Sequence, residues 1–132
     1  MPHLVSQATM PATLLVQNLN RNIGAPPRVA VCDTFASRLR GLMFRRALTP
    51  DEGVLLTMPR ESRLDSSIHM FFVRFDLAVF WINASMQVVD RIFAKSWHAA
   101  YIPSRPAKYV LELHPSQFPA YQTGEHVEFR RA

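Results

Sequence analysis

The chain has 132 residues, a single cysteine, and a net charge of +5 from 15 Lys and Arg against 10 Asp and Glu. That length suits one domain able to hide roughly two thirds of its unfolded surface. A composition of 48% hydrophobic and 19% charged residues excludes wholesale disorder, and a lone cysteine excludes an intramolecular disulfide. No apolar stretch approaches the ~20 residues of a membrane-spanning helix. The opening MPHLVSQATM lacks the basic start and apolar run of a signal peptide, so a soluble, cytoplasmic protein without membrane contact is expected.

Residues 1–12 are expected to fray, because Pro2 and Pro11 oppose strand pairing, leaving 13–132 as a single β domain. TLLVQNL (13–19) reads as a short apolar strand and NRNIGAPP (20–27) as a turn. RVAVC (28–32) returns as a second strand with a reduced Cys32 thiol at its end. Thr34 can cap a helix through FASRLRGLMF. Phe35, Leu39 and Leu42 recur at i, i+4 and i+7 on one face; Gly41 either weakens the middle or ends the helix, which is expected to run about two to three turns and stop near 41–44. A turn over 48–53 leads into a buried strand, Val54–Met58.

Ile68–Phe75 alternates, with Ile68, Met70 and Phe72 on one side and His69, Phe71, Val73 and Phe75 on the other, which predicts a strand. Leu77–Ile82 is apolar on both faces, the pattern of a central strand. After a turn at 83–85, Gln87–Ala94 is the next strand; Val88, Asp90 and Ile92 share a face there, so Asp90 is expected to point inward. A proline-broken loop (97–108) precedes the last strands, Tyr109–Leu113 and His126–Arg130, which flank a loop with Pro115, Pro119 and Gly124. The sum is a mainly β protein of about seven or eight short strands and one helix. Helices are too few for parallel crossovers, so antiparallel strands in a two-layer sandwich or a partly open barrel are expected.

RLRGLMFRR (38–46), DEGVLL (51–56), IHMFFVRF (68–75), VVD (88–90) and YVLEL (109–113) follow one another in this order. Together they resemble the uncharacterised prokaryotic family catalogued as domain of unknown function 192 (UPF0127-like), over Val29–Phe129. The resemblance implies a compact, jelly-roll-like β domain with small helical insertions, and it implies no reaction. Where the family usually reads Pro-Ile-Asp after the IHMFF block, this chain has Asp76-Leu77-Ala78. The family aspartate therefore falls on Ala78, and Asp76 sits two positions earlier on the same strand face. The usual Gly-Asp before the last strand is Gly124-Glu125.

Two groups of polar residues are candidates for function. Arg38, Arg40 and Arg45 around Gly41 could cradle an anion, since guanidinium forks match phosphate or carboxylate; alternatively they form a solvated helix face paired with Asp33, Asp51 and Glu52. His69, Arg74 and Asp76, with Asp90, could form a rim that binds an anion or exchanges protons; alternatively they are a backbone-bonded His and a bracing Arg–Asp pair. The expected ligand-binding set is therefore Arg38, Arg40, Arg45, His69, Arg74 and Asp76, holding a small anionic molecule. The alternatives are a hydrolase- or isomerase-type enzyme using His69 with Asp76 or Asp90, and a nucleic-acid or protein interaction module. Basic residues are too scattered to favour nucleic acid. No cofactor is expected: GxxxxGK[ST] and GxGxxG are absent, and Cys32, Met43, Met58, Met70 and His69 have no metal-binding spacing. Ser66, Ser67 and Cys32 lack a nucleophile motif, and the aromatic residues of the apolar strands read as core.

Overall fold

The computed structural model describes residues 12–132; apart from Ala12, the segment expected to fray lies outside the described residues. The strands are β1 (Thr13–Asn18), β2 (Arg28–Cys32), β3 (Glu52–Ser62), β4 (Leu77–Ile82), β5 (Val88–Ala94), β6 (Ala107–Leu113) and β7 (Val127–Arg131). A helix, α1 (Phe35–Arg40), and a 3-10 helix (Pro115–Ala120) complete the chain. The strands form one 7-stranded sheet in the order β5-β4-β6-β3-β2-β1-β7. Among the described residues no helix is long and apolar enough to cross a membrane.

Of the two architectures expected, this is the partly open barrel. The outer strands β5 and β7 approach at one corner, where Gln87 bridges His126. There Val88 N–H donates to the Glu125 carbonyl at 2.8 Å and Val127 N–H to the Met86 carbonyl at 2.9 Å. All seven strands contribute to the core inside the curl, through Leu14, Val29, Leu55, Phe80, Val88, Leu111 and Phe129 among others. A second core lies on the outer face, where Leu56, Val79, Trp81 and Val110 are covered by Leu42, Leu48, Ile68, Met70 and Val73 from loops. Two cores explain why every residue of Leu77–Ile82 is buried.

Three expectations change. β2 and β3 pair in parallel, because α1 and its flanking turns supply the crossover that such a pair needs. Ile68–Phe75 is a covering loop, whose single sheet-like contact is a bridge from Ile68 to Tyr101. The expected alternation breaks after Met70: Ile68 and Met70 are pressed onto the outer core together with Val73 from the other expected face, while Phe71 and Phe72 both stay exposed. Asp90 does not point into the curl. A register shift between Trp81 and Ile82 puts Val88 inside and Val89 outside, and Asp90 then accepts a hydrogen bond from Ser104 N–H at 2.8 Å.

The barrel corner is fastened by Glu125. Its carboxylate accepts from Arg21 Nε at 2.5 Å, Asn18 Nδ2 at 3.0 Å and Gln122 N–H at 2.6 Å. The Arg21 hydrogen bond, helped by those from Gln122 and Asn18, pulls this carboxyl down from 4.5 to about 2. A depressed folded value means stability that is present above pH 4.5 and lost as pH falls toward 2. Glu125→Ala is therefore expected to lower the melting temperature by a few degrees at pH 7 and to make no difference near pH 2. Melting curves of both proteins across that range check it.

Candidate functional site

A cleft of about 440 Å³ opens on the outer face of the sheet, between α1 with its following turn and the loop from Leu64 to Val73. Leu56 and Met58 of β3 and Glu112 of β6 line its depth. The α1 wall is set by local chemistry. Thr34 Oγ1 accepts from Ser37 N–H at 3.1 Å and Ser37 Oγ accepts from Thr34 N–H at 3.0 Å, a reciprocal cap. Gly41 then takes φ +44°, ψ −117°, a conformation only glycine adopts freely, and the chain drops to bury Leu42. The helix is shorter than expected and buries nothing along its own length. Phe35 is 74% exposed and Leu39 53% exposed, so the apolar stripe edges the cleft instead of joining the core.

The other wall is tied down at the far end. Phe44 N–H donates to the Phe72 carbonyl at 2.9 Å, and Trp97 N–H donates to the Met70 carbonyl at 2.9 Å. The rings of Phe44, Phe72 and Trp97 pack in series, with centroids 5.1 and 5.0 Å apart. All three residues have positive φ (64°, 60° and 65°), a costly backbone for aromatic residues that persists only where its surroundings enforce it.

Of the six residues expected in a site, Arg38, Arg40 and His69 line this cleft. Arg38 Nη1 donates to the carbonyls of Asp33 at 2.8 Å and Thr57 at 3.3 Å, which holds the guanidinium against the wall. His69 Nδ1 accepts from Phe71 N–H at 3.2 Å, and Nε2 has no hydrogen bond to it among the described residues. The other three lie elsewhere. Arg45 pairs with Glu52 at 2.8 Å. Asp76 accepts from Ser96 N–H at 2.9 Å and faces Lys95 Nζ at 3.6 Å, so it braces the 95–96 turn. Arg74 is exposed and outside the cleft. Cys32, Met58 and Met70 belong to the outer core, and no three His, Cys, Asp or Glu side chains cluster among the described residues.

Sequence reasoning missed Glu112. On β6 the residues Tyr109, Leu111 and Leu113 point into the barrel, which sends Val110 and Glu112 to the outer face. There Glu112 lies beside Val54 of β3 and Val79 of β4, both buried, and is itself only 4% exposed. Burial pushes its carboxyl up to about 7. The same charge, after burial itself, raises the Cys32 thiol. The signal was available: YVLEL places one acid in an otherwise apolar strand, and such an acid is buried at a cost or used.

The model of the DUF192 family, described as "Uncharacterized ACR, COG1430", matches residues 16–129. A UPF0127 protein of Pyrococcus furiosus is 38% identical over 96 residues, which is 71% of this chain and 79% of that one. A UPF0127 protein of Thermococcus kodakarensis is 39% identical over 85 residues, 64% of this chain. The match spans about half of that relative, 52%. Two crystal structures share the fold. One, from Sinorhizobium meliloti, has a TM-score of 0.78 at 21% identity, covering 89% of this chain and 94% of that one. The other, a protein of unknown function from Novosphingobium aromaticivorans, has a TM-score of 0.70 at 17% identity, covering 97% and 92%. At these identities the likeness concerns the fold alone.

Proposed function

We propose, given that this chain belongs to the DUF192 family of uncharacterised proteins, that its outer-face cleft binds a small organic anion. The observation that carries this is the convergence of Arg38 and Arg40 on one wall with His69 on the other, around a depth lined by Leu56, Met58 and the buried Glu112. Arg38 is pre-positioned by its two backbone contacts, so less freedom is lost when it grips a carboxylate or phosphate. Arg40 is exposed and makes no ion pair among the described residues. Phe35, Leu39 and Leu64, all more than half exposed at the cleft, suit an apolar body attached to the charged group. A cytoplasmic location is a separate part of this proposal, supported by the free, buried Cys32 thiol, which a reducing compartment keeps unpaired.

The test is thermal melting against a panel of phosphorylated and carboxylated metabolites, with inorganic phosphate included. A ligand present at about 100 times its Kd stabilises by roughly 2.7 kcal/mol, which is several degrees for a domain of this size. Arg40→Ala is expected to weaken the best ligand about tenfold, the loss of one charge-assisted contact. A panel that shifts nothing, or shifts equally in Arg40→Ala, overturns the proposal.

A further inference from the structure

The cleft has two chemically different poles. Arg38 and Arg40 occupy its wall, while Glu112 lies at its depth between the buried Val54 and Val79. Gly41 stands directly over the carboxyl: a Cβ there would come 3.2 Å from Glu112 Oε1, so the missing side chain keeps that oxygen uncrowded. A carboxyl side chain only 4% exposed, lining a ligand-sized cleft and with no salt bridge among the described residues, is costly to ionise unless a donor meets it. Burial raises its carboxyl, and no salt bridge joins it to Arg38 or Arg40 among the described residues.

We infer that the occupant of the cleft carries a basic nitrogen as well as its anionic group, and that Glu112 receives this nitrogen. The inference rests on the anion reading above and adds the second pole: the ligand is a small zwitterion with an apolar body. An ammonium or amidinium donates to a carboxylate through a charge-assisted hydrogen bond, which is strengthened where the carboxylate is buried. A single carboxylate suits that group better than a metal ion, because no three His, Cys, Asp or Glu side chains cluster among the described residues. The apolar body would lie along Phe35 and Leu39.

Three probes that share a phenyl group separate the poles: 3-phenylpropanoate (anion only), 2-phenylethylammonium (cation only) and phenylalanine (both). Amide chemical-shift titrations of the full chain read each affinity. Phenylalanine is expected to bind at least about tenfold tighter than 3-phenylpropanoate, the worth of one charge-assisted hydrogen bond. Glu112→Gln is expected to close that gap and to abolish binding of 2-phenylethylammonium, while leaving 3-phenylpropanoate no weaker. Glu112→Asp, which keeps the charge but withdraws it by one methylene, narrows the gap and serves if the amide variant does not fold. The inference is overturned if 3-phenylpropanoate binds as tightly as phenylalanine, or if the gap survives in both variants. Arg40→Ala reads the other pole: loss of 3-phenylpropanoate binding supports the anion site. Failure of 3-phenylpropanoate to bind, with Glu112-dependent binding of 2-phenylethylammonium intact, overturns the anion site alone. A cleft that takes none of the three overturns both.

Discussion

Replacing Glu112 by Gln is expected to remove about 3 kcal/mol of pH dependence from the stability of this fold. The folded carboxyl titrates at about 7 because burial penalises its charged form, against 4.5 in the unfolded chain. Between those values the folded protein holds a proton that the unfolded chain has released, so stability falls as pH rises through that window. Below pH 4.5 both states are protonated and nothing is lost; above 7 both are ionised and the loss is complete. The gap of 2.5 between 4.5 and about 7, at about 1.36 kcal/mol each, gives the total. The glutamine amide has its own cost in an apolar site, but that cost does not vary with pH. Urea unfolding of both proteins at pH 4 and pH 8 should therefore show a difference between them that changes by about 3 kcal/mol. Equal pH slopes would mean that the carboxyl is solvated, and would remove the physical basis for treating it as a pole of the cleft.

Much of the barrel can be read locally, and the exceptions share a cause. β1, β2, β4 and β6 were visible because their apolar runs and flanking turn residues are properties of a few adjacent positions. Ile68–Phe75 has the alternation of a strand, yet Phe72 takes φ 60° and the Met70 carbonyl accepts from Val73 and Trp97, so its polar backbone is satisfied by loops. Alternation in sequence does not report burial here: the loop buries Ile68, Met70 and Val73, and its turn at 71–72 leaves two phenylalanines exposed in succession. The α1 stripe misleads in the opposite way. Phe35 and Leu39 have helical spacing, but Leu42, beyond Gly41, is the one that reaches the outer core. Asp90 was misplaced by a single inserted residue in β5, invisible before the pairing with β4 is known.

The candidate site was half legible for the same reason. Arg38 and Arg40 both belong to the last turn of one short helix, so both reach the cleft from a single local segment. His69 joins them only because the 64–73 loop folds over the sheet, and Arg45, Arg74 and Asp76 leave because Glu52 and Lys95 claim two of them. Glu112 depends on three distant segments at once: the strands bearing Val54 and Val79, and Gly41 some seventy positions upstream in the chain.

The second large effect is expected at Gly53, the glycine of DEGVLL. Gly53 sits at the start of β3, beside Val29 of the parallel strand and Leu113 of the antiparallel one. A Cβ built there would lie 2.3 Å from the Glu112 carbonyl oxygen, 2.6 Å from Leu113 Cδ2 and 3.3 Å from the Glu112 carbonyl carbon. Leu113 could rotate only at the expense of a fully buried packing position, and a main-chain oxygen cannot rotate at all. In Gly53→Ala, β3 and β6 must therefore separate near their ends. Overpacking costs about 1–3 kcal/mol and each weakened ladder hydrogen bond about 1 more, so a loss of roughly 3 kcal/mol is expected, or about 10 °C in melting temperature. Because the displaced carbonyl belongs to Glu112, the same change shifts the depth of the cleft, and ligand affinity should fall with stability. Gly24→Ala is the control: nothing lies within 4 Å of its added methyl, and only its φ of +78° is penalised, at about 1 kcal/mol. Thermal melts that place the two variants together would show that β6 yields to β3 without strain, and the close approach of the two strands would lose its structural meaning.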